Sequence, residues 1–235
     1  MKTVNNWLNI IQDYLFPPTC LLCGSAGIHS QDICSACCAD LATNNNFCYC
    51  CAAAFTTPES TPGLCGQCLK KRPEFEETYA PYLYQNSMQY LIKKLKFDGH
   101  YKNARLLGHL LAKHLHQNAE LPDLIIPVPL HPIRYQQRGF NQALEIARHV
   151  ANDLGVPLDM NSCIRQRNTV QQLTLPAKQR RRNLRNAFCM QKTLSAAHIA
   201  IIDDVMTTGT TVNELAKVLL KAGAARVDVW VCARA

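Results

Sequence analysis

The chain is 235 residues long, 48% apolar and 18% charged, with a formal net charge of +8. That length fits one large domain or two small ones, and the apolar share excludes a chain too polar to bury a core. No apolar run reaches the about 20 residues a membrane span requires, and the N-terminus lacks the charged start and small-residue cleavage site of a secretory signal; the expectation is a cytoplasmic protein without a stable membrane span.

Residues 5–16 set Trp7, Ile10, Ile11, Tyr14 and Leu15 on one helical face, with Asn9, Gln12 and Asp13 opposite. Such a helix lies either on a membrane surface or on its own protein, and a polar face almost without Lys or Arg favours the second. Pro17-Pro18 ends it. Ten of the 13 cysteines come before residue 70, and eight of those form four C-x-x-C pairs. Disulfides do not persist in a reducing cytosol, so the dense pairs point to metal. Two residues between thiolates let both sulfurs of a tight turn reach one ion, and two such turns close a structural zinc site with no open position for catalysis. The natural division gives one Zn²⁺ to Cys20, Cys23, Cys34 and Cys37 and a second to Cys48, Cys51, Cys65 and Cys68. Interleaved pairing is the alternative, and Cys38 and Cys50 adjoin ligands closely enough to replace Cys37 and Cys51. The cysteine-rich part ends near Arg72-Pro73, which divides the chain into an N-terminal module over 1–72 and a second domain over 73–235.

Tyr79–Tyr84 reads as an edge strand, since Pro81 bars a central place. A helix follows from about Ser87 to Lys96, with Met88, Leu91, Ile92 and Leu95 inward and Lys93, Lys94 and Lys96 outward. Asp98-Gly99 separates it from a second helix carrying Leu106, Leu107, Leu110, Leu111 and Leu115. His109, His114 and His116 on that helix read as solvated or capping groups. Leu124–Pro129 is a buried strand closed by prolines, and a helix is expected from Asn141 to Asp153. Between them lie His131, Arg134 and Arg138. A loop after a parallel strand carrying these side chains suits a second phosphate group, or is a solvated basic turn.

Residues 160–202 hold eight Lys and Arg and no acid, which equals the charge excess of the whole chain. Arg180, Arg181, Arg182 and Arg185 concentrate that charge and imply an anionic partner. The segment Arg165–Asn186 is a closing loop, a track for a nucleic-acid backbone, or an exposed helical face. Next comes IAIIDDVMTTGTT (199–211): an apolar run, two carboxylates, then small hydroxyl residues leading into a helix over Val212–Leu220. Arg226–Val231 makes a second strand, so the unit is a βαβ crossover. Ligands of open α/β sheets sit at the carboxyl ends of strands, where Asp203 and Asp204 lie. Free amides at a helix start suit a phosphate, and Gly209 permits close approach. The acids suit a vicinal diol, with a divalent cation screening them. A phosphate plus a cis-diol is a ribose 5-phosphate.

This loop closely resembles the 5-phosphoribosyl-1-pyrophosphate (PRPP) signature of type I phosphoribosyltransferases, which gives the fold class: α/β, with a parallel sheet of that type. The resemblance implies PRPP binding by Asp203, Asp204, Val205, Met206, Thr207, Thr208, Gly209, Thr210 and Thr211, with Mg²⁺. It implies a pyrophosphate loop at Pro129, Leu130 and His131. Taken together, the four C-x-x-C pairs, PVPLHP, RGFNQA (138–143), KQRRRN (178–183) and the PRPP-like loop resemble the ComF family in order and spacing. That likeness covers nearly the whole chain and implies a double zinc ribbon ahead of the phosphoribosyltransferase-like domain. It further implies a role in natural competence, handling single-stranded DNA after uptake, with Arg180, Arg181, Arg182 and Arg185 on its phosphates. An active phosphoribosyltransferase of amidophosphoribosyltransferase type and a ribbon adaptor for a competence helicase or translocase are the other readings.

Overall fold

A computed structural model describes residues 17–28, 31–56, 63–167 and 186–235. The expected helix over 5–16 and the basic residues Arg180, Arg181, Arg182 and Arg185 lie outside the described residues.

Two long strands, β6 (His198–Met206) and β7 (Arg226–Arg234), form the middle of a parallel sheet. β3 (Leu124–Pro127) flanks β6, while β1 (Thr78–Tyr79) and β2 (Tyr82–Leu83) run end to end along the far side of β7. Both central strands are nearly continuous apolar runs because both of their faces are covered. Side chains alternate between two cores: Ala200 and Ile202 enter one, Ile199 and Ile201 the other. The first core lies under α3 (Asn86–Asp98), α4 (Tyr101–Asn118) and α6 (Gln142–Leu154). The second lies under α7 (Thr210–Lys221) and a two-stranded antiparallel hairpin, β4 (Cys163–Arg165) with β5 (Phe188–Met190).

The cysteine-rich segment wraps the β1/β2 edge of the sheet. Its single-turn helices α1 (Ser35–Ala39) and α2 (Gly66–Lys70) begin on the N-caps Cys34 and Cys65. Cys20 enters the first core with Ile33 and Leu41, whereas Cys48, Cys50 and Cys68 enter the second. Leu83 N donates to Ala42 O at 2.8 Å and Asn44 N to Pro81 O at 2.9 Å. The expected edge strand is therefore split at Ala80-Pro81 and covered rather than open. Pro81 has no N–H for the ladder with β7, but its carbonyl still accepts from the ribbon. An ion pair from Arg105 of α4 to the buried Asp32 adds a second tie.

Three further expectations are corrected. The Pro132–Arg138 segment is a short helix, α5, not an irregular loop. His131 caps it, Pro132 opens it and Gly139 closes it at φ +81°. His109 is not a lone solvated group, because it pairs with Asp153 of α6 and its ring lies 5.6 Å from that of His149. Close packing at Gly108 forces these side chains together: a Cβ there would meet His149 Cβ at 2.5 Å. Lys96 also points inward, toward the end of β6.

Candidate functional site

The cysteines gather as two separate groups. The Sγ atoms of Cys20, Cys23, Cys34 and Cys37 lie within 4.8 Å of one another, and those of Cys48, Cys51, Cys65 and Cys68 do the same. Zinc–sulfur bonds of about 2.3 Å put tetrahedral sulfurs about 3.8 Å apart; Cys23–Cys34 and Cys51–Cys65 stand at 3.6 Å. Each group fits a structural zinc ion, in the consecutive division rather than the interleaved one. Backbone amides of Cys37 and Cys65 donate to Cys34 Sγ (3.4 Å) and Cys48 Sγ (3.2 Å), bonds that favour the thiolate form a metal takes. Cys38 and Cys50 belong to neither group. Cys50 is buried against Phe75 O at 3.9 Å, and burial pushes its thiol up to about 11.

At the carboxyl end of the sheet, β6 runs out at Met206 and α7 starts after Gly209, which sits at φ +70°. Among the described residues, no protein acceptor takes the backbone N–H of Thr207, Thr208, Gly209, Thr210, Thr211 or Val212. These amides and the helix start line a small cup together with Asp203, Val205 and Met206. Thr208 and Thr210 add hydroxyls 2.8 Å apart. A Cβ on Gly209 would lie 3.5 Å from Met206 Sδ and 3.8 Å from Phe75 Cζ, so the space is adequate and the positive φ is what demands glycine.

The two acids are treated differently. Asp203 is enclosed by its neighbours but keeps one face open to the cup. Burial first, then the charge of Asp204 beside it, raises its pKa well above the usual carboxylate range. Asp204 turns away from the cup onto Lys96 Nζ at 3.1 Å, its side chain 3% exposed against 33% for the lysine. Burial pulls Asp204 upward as well, but Lys96 overrides it and holds the carboxyl below the ordinary value, helped by Asp203 and Gln142. Gln142, at the start of α6, in turn accepts from Arg138 Nη1 at 2.5 Å.

A cationic wall surrounds the pair. Burial lowers the pKa of Arg138 while Asp204 and Asp203 support its charge, and Arg165 of β4 has the same balance with Asp203. Arg165 also lies over the Phe188 ring at 5.6 Å. Val128 N donates to Ile202 O at 2.8 Å, and this register carried forward sets Pro129 level with Asp204. Leu130 and His131 follow, and His131 Nδ1 accepts from Ile133 N at 3.3 Å to cap α5. A larger hollow of ≈ 480 Å³ lies at the opposite end of the strands, lined by Tyr49, Glu74, Glu76 and Arg226. Arg226 is already paired there with Asp228 and Glu120, so carboxylates dominate and an anion finds no cradle.

Residues 11–69 match the double zinc ribbon domain family, and residues 140–235 match the phosphoribosyl transferase domain family. The DNA utilization protein YhgH of Salmonella typhimurium is 35% identical over 225 residues, covering 93% of this chain and 97% of the relative. Competence protein F of Haemophilus influenzae is 38% identical over 180 residues, 73% of this chain and 78% of the relative. The chain belongs to the ComF family. Competence protein ComFC of Streptococcus pneumoniae is a more distant ComF relative, 28% identical over 154 residues, 64% of this chain and 65% of the relative. This ComF chain therefore has a type I phosphoribosyltransferase-like parallel sheet behind a double zinc ribbon.

Four side chains at the site escaped the sequence reading. Lys96 is one helical turn beyond the buried Ile92, a spacing that signals an inward position. Gln142 gave no local signal, and the charge of Arg165 signals only the basic segment that it opens. Arg234 ties the ribbon to the cup, because its Nε donates to Cys51 O at 2.9 Å and its Nη1 to Met206 O at 3.1 Å.

Proposed function

We propose that this ComF chain is a cytoplasmic factor of DNA utilisation in natural transformation, handling incoming single-stranded DNA, with a pocket for PRPP and Mg²⁺. The observation that carries the pocket is the set of six unengaged amides, Thr207 to Val212, opening beside Asp203 at a strand's carboxyl end. In this reading Thr207–Thr211 hold the 5-phosphate through backbone and hydroxyls, with Val205 and Met206 fixing the approach. Asp203 takes the ribose hydroxyls, and Asp204 does so after exchanging its Lys96 partner. Mg²⁺ would screen both acids and the pyrophosphate, and Pro129, Leu130 and His131 would flank that leaving group. The eight paired cysteines hold two structural Zn²⁺ ions. Residues 1–72 and 73–235 are the two domains, acting as one unit through the ribbon's contacts with both cores.

The DNA assignment is supported by the names of the relatives and by the sequence excess of Arg180, Arg181, Arg182 and Arg185. The pocket is tested by thermal unfolding with PRPP and Mg²⁺: ligand at 100 times its Kd adds about 2.7 kcal/mol of stability, and an unshifted melting curve at millimolar PRPP contradicts the pocket. The DNA role is tested by replacing the four arginines with glutamine. Single-strand affinity and its salt slope should both fall, and a variant that binds like the parent removes that assignment.

The cationic wall of Lys96, Arg138 and Arg165 favours one second reading, an active phosphoribosyltransferase. Cations there would stabilise a departing pyrophosphate. Pyrophosphate release with a panel of bases and amines, absent from an Asp203→Asn/Asp204→Asn variant, would establish it.

A further inference from the structure

The outer side of α3 carries a pattern that the fold does not use. Met88, Leu91, Ile92 and Leu95 pack inward, while Tyr90, Lys93, Lys94 and Phe97 recur at i, i+3, i+4 and i+7 on the solvent side. Beyond the Gly99 corner, Tyr101 and Lys102 are exposed at the start of α4. Tyr90 is 47% exposed, Phe97 67% and Tyr101 54%. Single exposed apolar side chains are ordinary, but three aromatics within twelve residues, interleaved with lysines, form a patch.

The charge around them is one-sided. From Asn86 to Asn118 the chain has six Lys and Arg and one acid, Asp98, which Lys94 already holds at 2.8 Å. Lys96 and Arg105 are committed to Asp204 and Asp32. Lys93 and Lys102 have no carboxylate partner among the described residues. The patch lies on the side of the sheet that α3 and α4 cover. Lys96, adjacent to Phe97, reaches Asp204, and the Tyr101 ring lies 5.2 Å from that of Phe140, two residues beyond Arg138.

We infer that the Tyr90–Phe97–Tyr101 surface is a stacking platform for single-stranded nucleic acid, with Lys93 and Lys102 on the backbone phosphates. The inference rests on the single-strand reading above and gives it residues other than Arg180–Arg185. Exposed aromatic faces accept any base, and neighbouring cations track the backbone without reading sequence. A membrane surface would also take aromatics and lysines. The two lysines left without carboxylate partners among the described residues, together with the single-strand reading above, favour a strand.

Fluorescence anisotropy of the full-length zinc-loaded protein with a labelled oligothymidylate tests this. Tyr90→Leu/Phe97→Leu/Tyr101→Leu keeps the apolar bulk and the charge, and should weaken binding at least ten-fold with the salt slope unchanged. Lys93→Gln/Lys102→Gln should instead make the slope shallower by about 1.4, at about 0.7 per phosphate contact on single strands. Phe97→Leu alone, at a position two-thirds exposed, guards against a folding defect in the triple variant and should weaken binding several-fold. If both leucine variants bind like the parent while the four-arginine variant does not, the platform is wrong and the DNA reading stands. If the parent does not bind the oligonucleotide, both fall. A defect confined to phosphatidylcholine–phosphatidylserine vesicles would overturn the platform in favour of a membrane contact.

Discussion

Replacing Lys96 with methionine strands a buried carboxylate, and the structure sets how much that costs. The pair is 3.1 Å apart, with Asp204 nearly enclosed and Lys96 a third exposed. At an effective dielectric of about 20, the attraction is about 5 kcal/mol before desolvation. Removing one partner of a buried pair costs about 3–5 kcal/mol, and the solvent contact of Lys96 discounts this to about 2–3 kcal/mol. With a urea slope of about 2–3 kcal/mol/M, the unfolding midpoint should fall by roughly 1 M. Asp204→Asn should cost less, about 1 kcal/mol, because the freed ammonium can turn to water. The pH dependence has a definite sign. Asp204 has a depressed pKa, so its contribution is present above the unfolded value of about 3.9 and is lost as pH falls through the lower folded value. Asp203 is raised, so the folded state gains stability as pH drops below its folded pKa. Without Lys96 only the hydrogen bonds of Asp203 and Gln142 oppose burial at Asp204, and its carboxyl rises too. The deficit of Lys96→Met should therefore be largest near pH 8 and shrink toward pH 5. Urea titrations at several pH values measure it. A deficit that grows with acid, or an Asp204→Asn variant less stable than Lys96→Met, would refute the reasoning.

Gly209→Ala should lose about 1–2 kcal/mol, because the neighbours leave room for a methyl but φ +70° is costly for an L-residue; a thermal melt matching the parent contradicts this. Cys38→Ser and Cys50→Ser should each retain two zinc equivalents by metal analysis, whereas Cys48→Ser should retain one. Arg234→Met should keep both zinc ions but weaken PRPP about ten-fold, since the link from Cys51 O to Met206 O is lost; loss of zinc as well would mean that the arginine holds the ribbon rather than the cup.

Much of this was legible because the signals were local. Four C-x-x-C spacings, the IAIIDDVMTTGTT run and the Asp98-Gly99 break each report on a few adjacent residues. The consecutive zinc division needed three dimensions, because spacing alone permits interleaving. The unequal acids were hidden for a related reason. Asp203 and Asp204 are neighbours in sequence, but a strand sends successive side chains to opposite faces, and Lys96 comes from a helix 107 positions before the first of them. α5 was legible in principle from His131, Pro132 and Gly139, but its seven residues are too few to show a periodicity. The wrapping of the ribbon around β2 was not legible: it rests on main-chain bonds from Ala42 and Asn44 that any sequence could make.

Isothermal calorimetry of PRPP with Mg²⁺, run at two pH values, tests the central claim most directly. Because Asp203 is raised in the free protein, cation and diol binding should pull its carboxyl back down, so binding strengthens as pH rises. The account predicts one site per chain, dependence on Mg²⁺, tighter binding at the higher pH, and no measurable heat for Asp203→Asn. Binding that ignores Mg²⁺ and survives Asp203→Asn, or no binding by the parent, would contradict it.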